Sequence, residues 1–134
     1  MIHCDTSFLV DLLRESARSH PGPVRGLLDA LSRHEIVLSV FAACELHAGV
    51  ERSANPPRER ARVEGLTGFL GIVYPDERFA SVYARLLAGL QRGGETIATI
   101  DLMIATAAVV DEASLVTRDR KHFDRVPGVD VVSY

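Results

Sequence analysis

The chain has 134 residues, 47% of them hydrophobic and 25% charged, with a formal net charge of −3. That length suits one domain over residues 1–134, and a domain of this size buries roughly two-thirds of its unfolded surface, enough for a core without disulfides or structural metal. The charge excludes indiscriminate nucleic-acid binding. No apolar run nears the roughly 18 residues a membrane helix needs, and no basic-then-apolar leader opens the chain, so the expected compartment is the cytoplasm.

Ile2-His3-Cys4 reads as a short first strand. It ends at Asp5-Thr6-Ser7, where Thr6 or Ser7 can cap a helix carrying Phe8, Leu9, Leu12 and Leu13 at helical spacing. Pro21-Gly22-Pro23 breaks the chain before a second helix with Val24, Leu27, Leu28 and Leu31 on one face. Ile36 to Leu38 is a second strand, and Ser39 caps a third helix running to about Arg52. Asn55-Pro56-Pro57 reads as a turn, Arg58 to Phe69 as a charged amphipathic helix, and Ile72 to Tyr74 as a third strand. After a turn at Pro75-Asp76 a long helix runs to about Leu90, and Gly93-Gly94 opens a loop. An apolar helix follows from about Thr99 to Val110, then a strand at Leu115 to Thr117. Arg118 to Gly128 is a loop with about one helical turn, and Val131-Val132 a last short strand. Strands alternating with helices indicate an α/β fold: a three-layer α/β/α sandwich around a mainly parallel sheet of about five strands.

Such sheets bind ligands outside the carboxyl ends of their strands. Four acids from separate segments can reach that edge: Asp5 past the first strand, Glu45 two turns into the third helix, Asp101 in the first turn of the apolar helix, and Asp119 two residues past the fourth strand. Each has a bland alternative. Asp5 can be a cap, Asp101 a partner for a helix dipole, and Asp119 a surface charge between two arginines. Glu45 and Asp101 are harder to dismiss, because their helical neighbours are small or apolar, and a partly buried carboxylate needs a partner or a metal. Grouped carboxylates repel one another, and a divalent cation removes the repulsion. All-oxygen ligands favour Mg2+, with Mn2+ as a substitute, and magnesium takes only one or two direct carboxylates. Asp5 and Asp101 are therefore the strongest metal candidates, with Glu45 and Asp119 acting through water or on a second ion. Such a site suits phosphodiester hydrolysis, with Glu45 a candidate base.

Cys4 and Cys44 form no CxxC pair and read as two buried free thiols. Nothing argues for a mixed site of His3, Cys4, Cys44 and His47. The basic residues are 14 Arg and one Lys. Arg118, Arg120, Lys121, His122 and Arg125 cluster beside Asp119, and Arg52, Arg58, Arg60 and Arg62 lie around the fourth helix. Either group could bind phosphates, or simply be a solvated charged face. Arg118, Arg120 and Lys121, next to an acid, are the candidate RNA contacts.

These motifs resemble a known family. Asp5-Thr6-Ser7, the stretch Ser39 to Gly49 with Glu45-Leu46, Gly94-Glu95-Thr96-Ile97 leading to Asp101–Ala107, and Val116–Asp119 followed by His122-Phe123 resemble the four motifs of PIN-domain ribonucleases of the VapC toxin type, in order and spacing. The resemblance implies a PIN-like fold and a magnesium-dependent endoribonuclease with Asp5, Glu45, Asp101 and Asp119 as its acidic site. It makes Thr6, Ser7 and Thr117 supporting hydroxyls. It also implies a homodimer, neutralisation by a small VapB-type antitoxin, and transfer or ribosomal RNA as target. An antitoxin needs an apolar groove, for which Val40, Leu46 and Val50 are candidates, or else they are core or dimer contacts. The one mild departure is His3-Cys4, where aliphatic residues are usual. Alternatives are a PIN nuclease of RNA processing without an antitoxin, and a non-enzymatic module of the same fold. An aspartate-based phosphoryl site fits poorly, since position 7 is Ser and Lys121 follows no matching motif.

Overall fold

A computed structural model describes residues 1–18 and 21–134. Among them the chain runs β1 (Ile2–Cys4), α1 (Thr6–Ser16), α2 (Pro23–Ala30), β2 (Ile36–Ser39), α3 (Val40–Arg52), α4 (Pro56–Leu70), β3 (Ile72–Val73), α5 (Phe79–Arg92), α6 (Thr99–Val110), β4 (Ser114–Thr117), α7 (Arg120–Phe123) and β5 (Asp130–Ser133). The strands form one sheet in the order β3-β2-β1-β4-β5, and every pairing is parallel. All of β1, and most of β2 and β4, is buried along both alternating faces, as it must be when helices cover both sides. The chain builds outward from β1 to β2 and β3, then returns to place β4 on the other side. That reversal opens a crevice at the carboxyl ends of β1 and β4.

Phe8, Leu9, Leu38, Leu102, Ile104, Leu115 and Phe123 fill the core. Helix α6 is buried on most sides, with Leu102, Ile104, Ala105, Thr106, Ala107 and Ala108 all inside, which explains its near-continuous apolar sequence. No helix among the described residues is long and apolar enough to cross a membrane. Gly71 sits at φ +84°, a left-handed turn from α4 into β3 that a side chain would strain.

Several local expectations change. The cap of α1 is Asp5, not Thr6 or Ser7: its carboxylate accepts the Phe8 N–H at 3.0 Å. Helix α4 starts at Pro56, because Asn55 caps it and proline is at home in a first helical turn that needs no N–H. Strand β3 stops at Val73, leaving Tyr74 exposed. Leu46 and Val50 belong to the core, since α3 turns them inward with Ala42 and Ala43, and both also line a cleft between α1, α3 and α4. Cys44 falls on the outer side of α3 and is exposed, while Cys4 is buried as expected. His3 is wholly buried, and its Nε2 lies 2.7 Å from Asp111 at the far end of α6.

Candidate active site

Asp5 follows β1 directly and is 4% exposed. Three donors converge on it: the Phe8 N–H, the Ser7 hydroxyl at 2.8 Å, and the Thr117 hydroxyl at 2.5 Å. Burial pushes its carboxyl above the usual carboxylate range, the three hydrogen bonds pull the other way, and the charge of Asp119 adds to the rise. One residue is therefore both the helix cap and a buried acid.

Asp101 is the third residue of α6 and is half-buried. Its carboxyl is also raised, first by burial and then by the negative charge of Glu45, with Asp5 and Asp119 adding and His122 opposing. Asp101 thus lies in the field of three other carboxylates that come from β1, α3 and the end of β4. Glu45, half-buried on α3, accepts the Thr6 hydroxyl at 2.5 Å. Asp119 is exposed, and its backbone N–H donates to Thr117 Oγ1 at 2.8 Å.

The three hydroxyls each hold an acid or its turn. Thr6 orients Glu45. Ser7 donates to Asp5 and accepts the Arg118 N–H at 3.2 Å. Thr117, fully buried at the end of β4, donates to Asp5 and accepts from Asp119. Replacing Thr117 by Val removes both bonds while conserving shape, leaving Asp5 short of one donor and the Asp119 N–H unpaired. Each orphaned polar group costs about 1–3 kcal/mol. The expected result is a lower melting temperature and cleavage reduced at least tenfold, read from one thermal scan and one rate measurement.

Four contacts escaped the sequence reading. Asp11, one turn after Ser7, takes the Arg118 guanidinium on both oxygens at 2.8 and 2.9 Å, and the Tyr134 hydroxyl at 2.7 Å. The His122 imidazole bridges two acids, with Nδ1 3.5 Å from Asp119 and 3.8 Å from Asp101. Glu15 accepts the N–H groups of Gly22, Val24 and Arg25, capping α2 from the end of α1. Asp111 meets His3 across 108 residues of chain. Only Asp11 left a local signal, its spacing of four from Ser7 on one helix face.

Of the basic candidates, Arg118 is taken by Asp11 and Arg120 by Asp124 at 3.1 Å, while Lys121 is exposed on α7. In the other cluster Arg60 pairs with Glu51, and Arg62 with Glu59 and the Leu13 carbonyl, as a solvated charged face does. Among the described residues no group of three or more His, Cys, Asp and Glu side chains is arranged to hold a metal ion. Two carboxyls raised by burial and by neighbouring charge still suit a hydrated divalent ion, which needs only one or two direct carboxylates.

A model of the PIN domain matches residues 2–129. The chain belongs to the PIN-domain family. Among curated relatives of this PIN domain, the tRNA(fMet)-specific endonuclease VapC of Salmonella typhimurium is 31% identical over 75% of the chain and 76% of its own length. Ribonuclease VapC2 of Rickettsia felis is 28% identical over 82% and 83%. The crystal structure of VapBC2 from Rickettsia felis bound to a DNA fragment from their promoter superposes with a TM-score of 0.90, at 26% identity, covering 100% of this PIN domain and 99% of that chain.

Proposed function

We propose that this chain is the ribonuclease toxin of a VapBC-type pair: a single cytoplasmic PIN nuclease domain that hydrolyses RNA phosphodiester bonds with magnesium, manganese substituting, and is neutralised by a cognate antitoxin. The observation that carries this reading is the linkage of acids from separate segments: Thr117 Oγ1 joins Asp5 to the Asp119 N–H, and His122 Nδ1 lies 3.5 Å from Asp119 and 3.8 Å from Asp101. Of the two relatives above, one is named a ribonuclease and the other a tRNA(fMet)-specific endonuclease, so transfer RNA is the first substrate to try and ribosomal RNA the second.

In this reading Asp5 and Asp101 would hold the ion, with Glu45 and Asp119 supporting it through water or on a second ion. When bound, the ion lowers the pKa of a water and offsets charge on the phosphoryl oxygens. Glu45, which accepts the Thr6 hydroxyl, would serve as the base that takes a proton from water. Ser7 and Thr117 keep Asp5 from turning away. Incubating the protein with total RNA, with and without magnesium, and sequencing the new ends tests the reaction. Defined cuts that need the metal are expected, and intact RNA in both arms overturns the reading.

An antitoxin helix has a surface to occupy. Between α1, α2 and α4 lies a cleft of about 720 Å³ walled by Leu12, Leu13, Leu28, Leu66, Phe69 and Leu70. Phe69 is 75% exposed there, unusual for a phenylalanine without a partner. An amphipathic helix fits such a groove. Replacing Phe69 by Asp is expected to weaken the antitoxin complex tenfold or more, since anchoring aromatics contribute about 2 kcal/mol or more at interfaces. Calorimetry against the small protein encoded beside this chain checks it. The working unit is a homodimer, with partly exposed rings of Phe41, Phe79 and Tyr83 in a row as an apolar seam. Light scattering then reads twice the 14.6 kDa of one chain.

A further inference from the structure

A second cleft, of about 440 Å³, adjoins the acids on the α6–α7 side and is bounded by Thr96, Ile97, Ala98, Asp101, His122 and Arg125. Small-ligand sites begin at about 300 Å³. Asp101 is one wall, so whatever fills the cleft lies next to the group held at the acids. Its other walls have a different character. Ile97 and Ala98 are apolar. Arg125 is pinned in place by backbone carbonyls, donating to Thr96 at 2.6 Å and Lys121 at 3.4 Å, with Glu95 3.8 Å away. The His122 ring is half exposed and steadied by Asp119 and Asp101.

Four carboxylates repel a polyanion, so a substrate strand needs a hold beside them. Arg118 and Arg120 are engaged by Asp11 and Asp124, whereas Arg125 is fixed mainly by neutral carbonyls and keeps its charge for a ligand. Unpaired RNA bases are recognised by stacking on flat side chains, histidine rings and guanidinium planes among them.

Resting on the nuclease reading above, we propose that this cleft seats the nucleotide adjoining the cleaved phosphate of a single-stranded RNA, its base against His122 and Arg125, and that these two residues set the base preference at the cut.

The test has two readouts. In the first, fluorescein-labelled oligoadenylate, oligocytidylate and oligouridylate bind magnesium-free protein and are followed by anisotropy. In the second, a randomised RNA is cut in magnesium and the ends are sequenced. The proteins are wild type, His122→Ala, His122→Phe, Arg125→Ala and, at the opposite edge of the sheet, Arg33→Ala. Stacking contributes about 1–3 kcal/mol per base, so His122→Ala and Arg125→Ala should lose about tenfold in affinity for the preferred oligonucleotide. Both should raise KM more than they lower kcat, and flatten the base preference beside the cut. His122→Phe should keep most of the affinity, and Arg33→Ala should match wild type. Wild-type affinity and unchanged preference in both alanine variants overturn the cleft, and so does a phenylalanine variant as weak as the alanine one. The two readings fail separately. Binding that depends on His122 without any cleavage sinks the nuclease and spares the cleft. Cleavage indifferent to both residues does the reverse.

Discussion

Replacing Asp5 by Asn is expected to reduce RNA cleavage by about a thousandfold or more while the fold survives, because metal-assisted charge stabilisation supplies several kcal/mol and each 1.36 kcal/mol is tenfold in rate. The fold survives because asparagine caps helices as well as aspartate does. Its carbonyl can still accept the Phe8 N–H, and its amide can donate to Thr117 Oγ1, which now carries an unneeded proton donor. What is lost is the negative charge. Asp101→Asn should show the same loss, since it removes the carboxylate at the centre of the other three. Circular dichroism and a cleavage assay on the same samples separate folding from chemistry. Undiminished cleavage by both variants would remove this site from consideration.

The second large effect is on stability. Asp5 and Asp101 both have carboxyls raised above their unfolded values, chiefly by burial. A raised acid binds more protons folded than unfolded, so the metal-free protein loses stability as pH climbs from the unfolded value through the folded one. These two acids therefore favour melting at a higher temperature on the acid side than at pH 8, while the buried His3 imidazole, pushed down by burial, pulls the other way, so the effect is read as the difference between wild type and Asp5→Asn. A divalent ion reverses the trend by supplying the missing positive charge, and it binds best when the acids are ionised. At a magnesium concentration a hundred times its Kd the gain is about 2.7 kcal/mol, or roughly 10 °C for a chain of this length. Scanning calorimetry at two pH values, with magnesium and with a chelator, reads all four conditions. A melting temperature indifferent to magnesium at pH 8 would contradict it. Asp5→Asn should raise the metal-free melting temperature at pH 8 and shrink the magnesium response.

How much of this was written in the chain differs from residue to residue. The strands were legible because a parallel sheet covered on both faces demands near-continuous apolar runs, and Ile36–Leu38 and Leu115–Val116 comply, with His3 the one polar residue in β1. That four acids can reach one edge was readable from topology, since Asp5 and Asp119 follow strands, Asp101 stands in the first turn of a helix and Glu45 lies further along another. Asp5 shows where local reading stops. Cap and site acid read as alternatives, yet the carboxylate has two oxygens: Oδ1 caps α1 while Oδ2 takes the Thr117 hydroxyl. Arg118 looked free for phosphate until Asp11, 107 residues away, captured it. The same holds for His3 and Asp111. Such pairings depend on which elements the fold lays side by side, and periodicity within one element carries no trace of them. Leu46 and Val50 look alike in a groove or a core, and the packing of α3 against α1 and α4 makes them part of both.

A manganese titration followed by electron paramagnetic resonance goes straight to the meeting of the acids, because free ion gives the signal and bound ion does not. Wild-type protein should deplete the signal, and Asp5→Asn and Asp101→Asn should leave it standing at the same concentrations. Equal depletion by all three proteins would mean that these side chains do not gather around an ion.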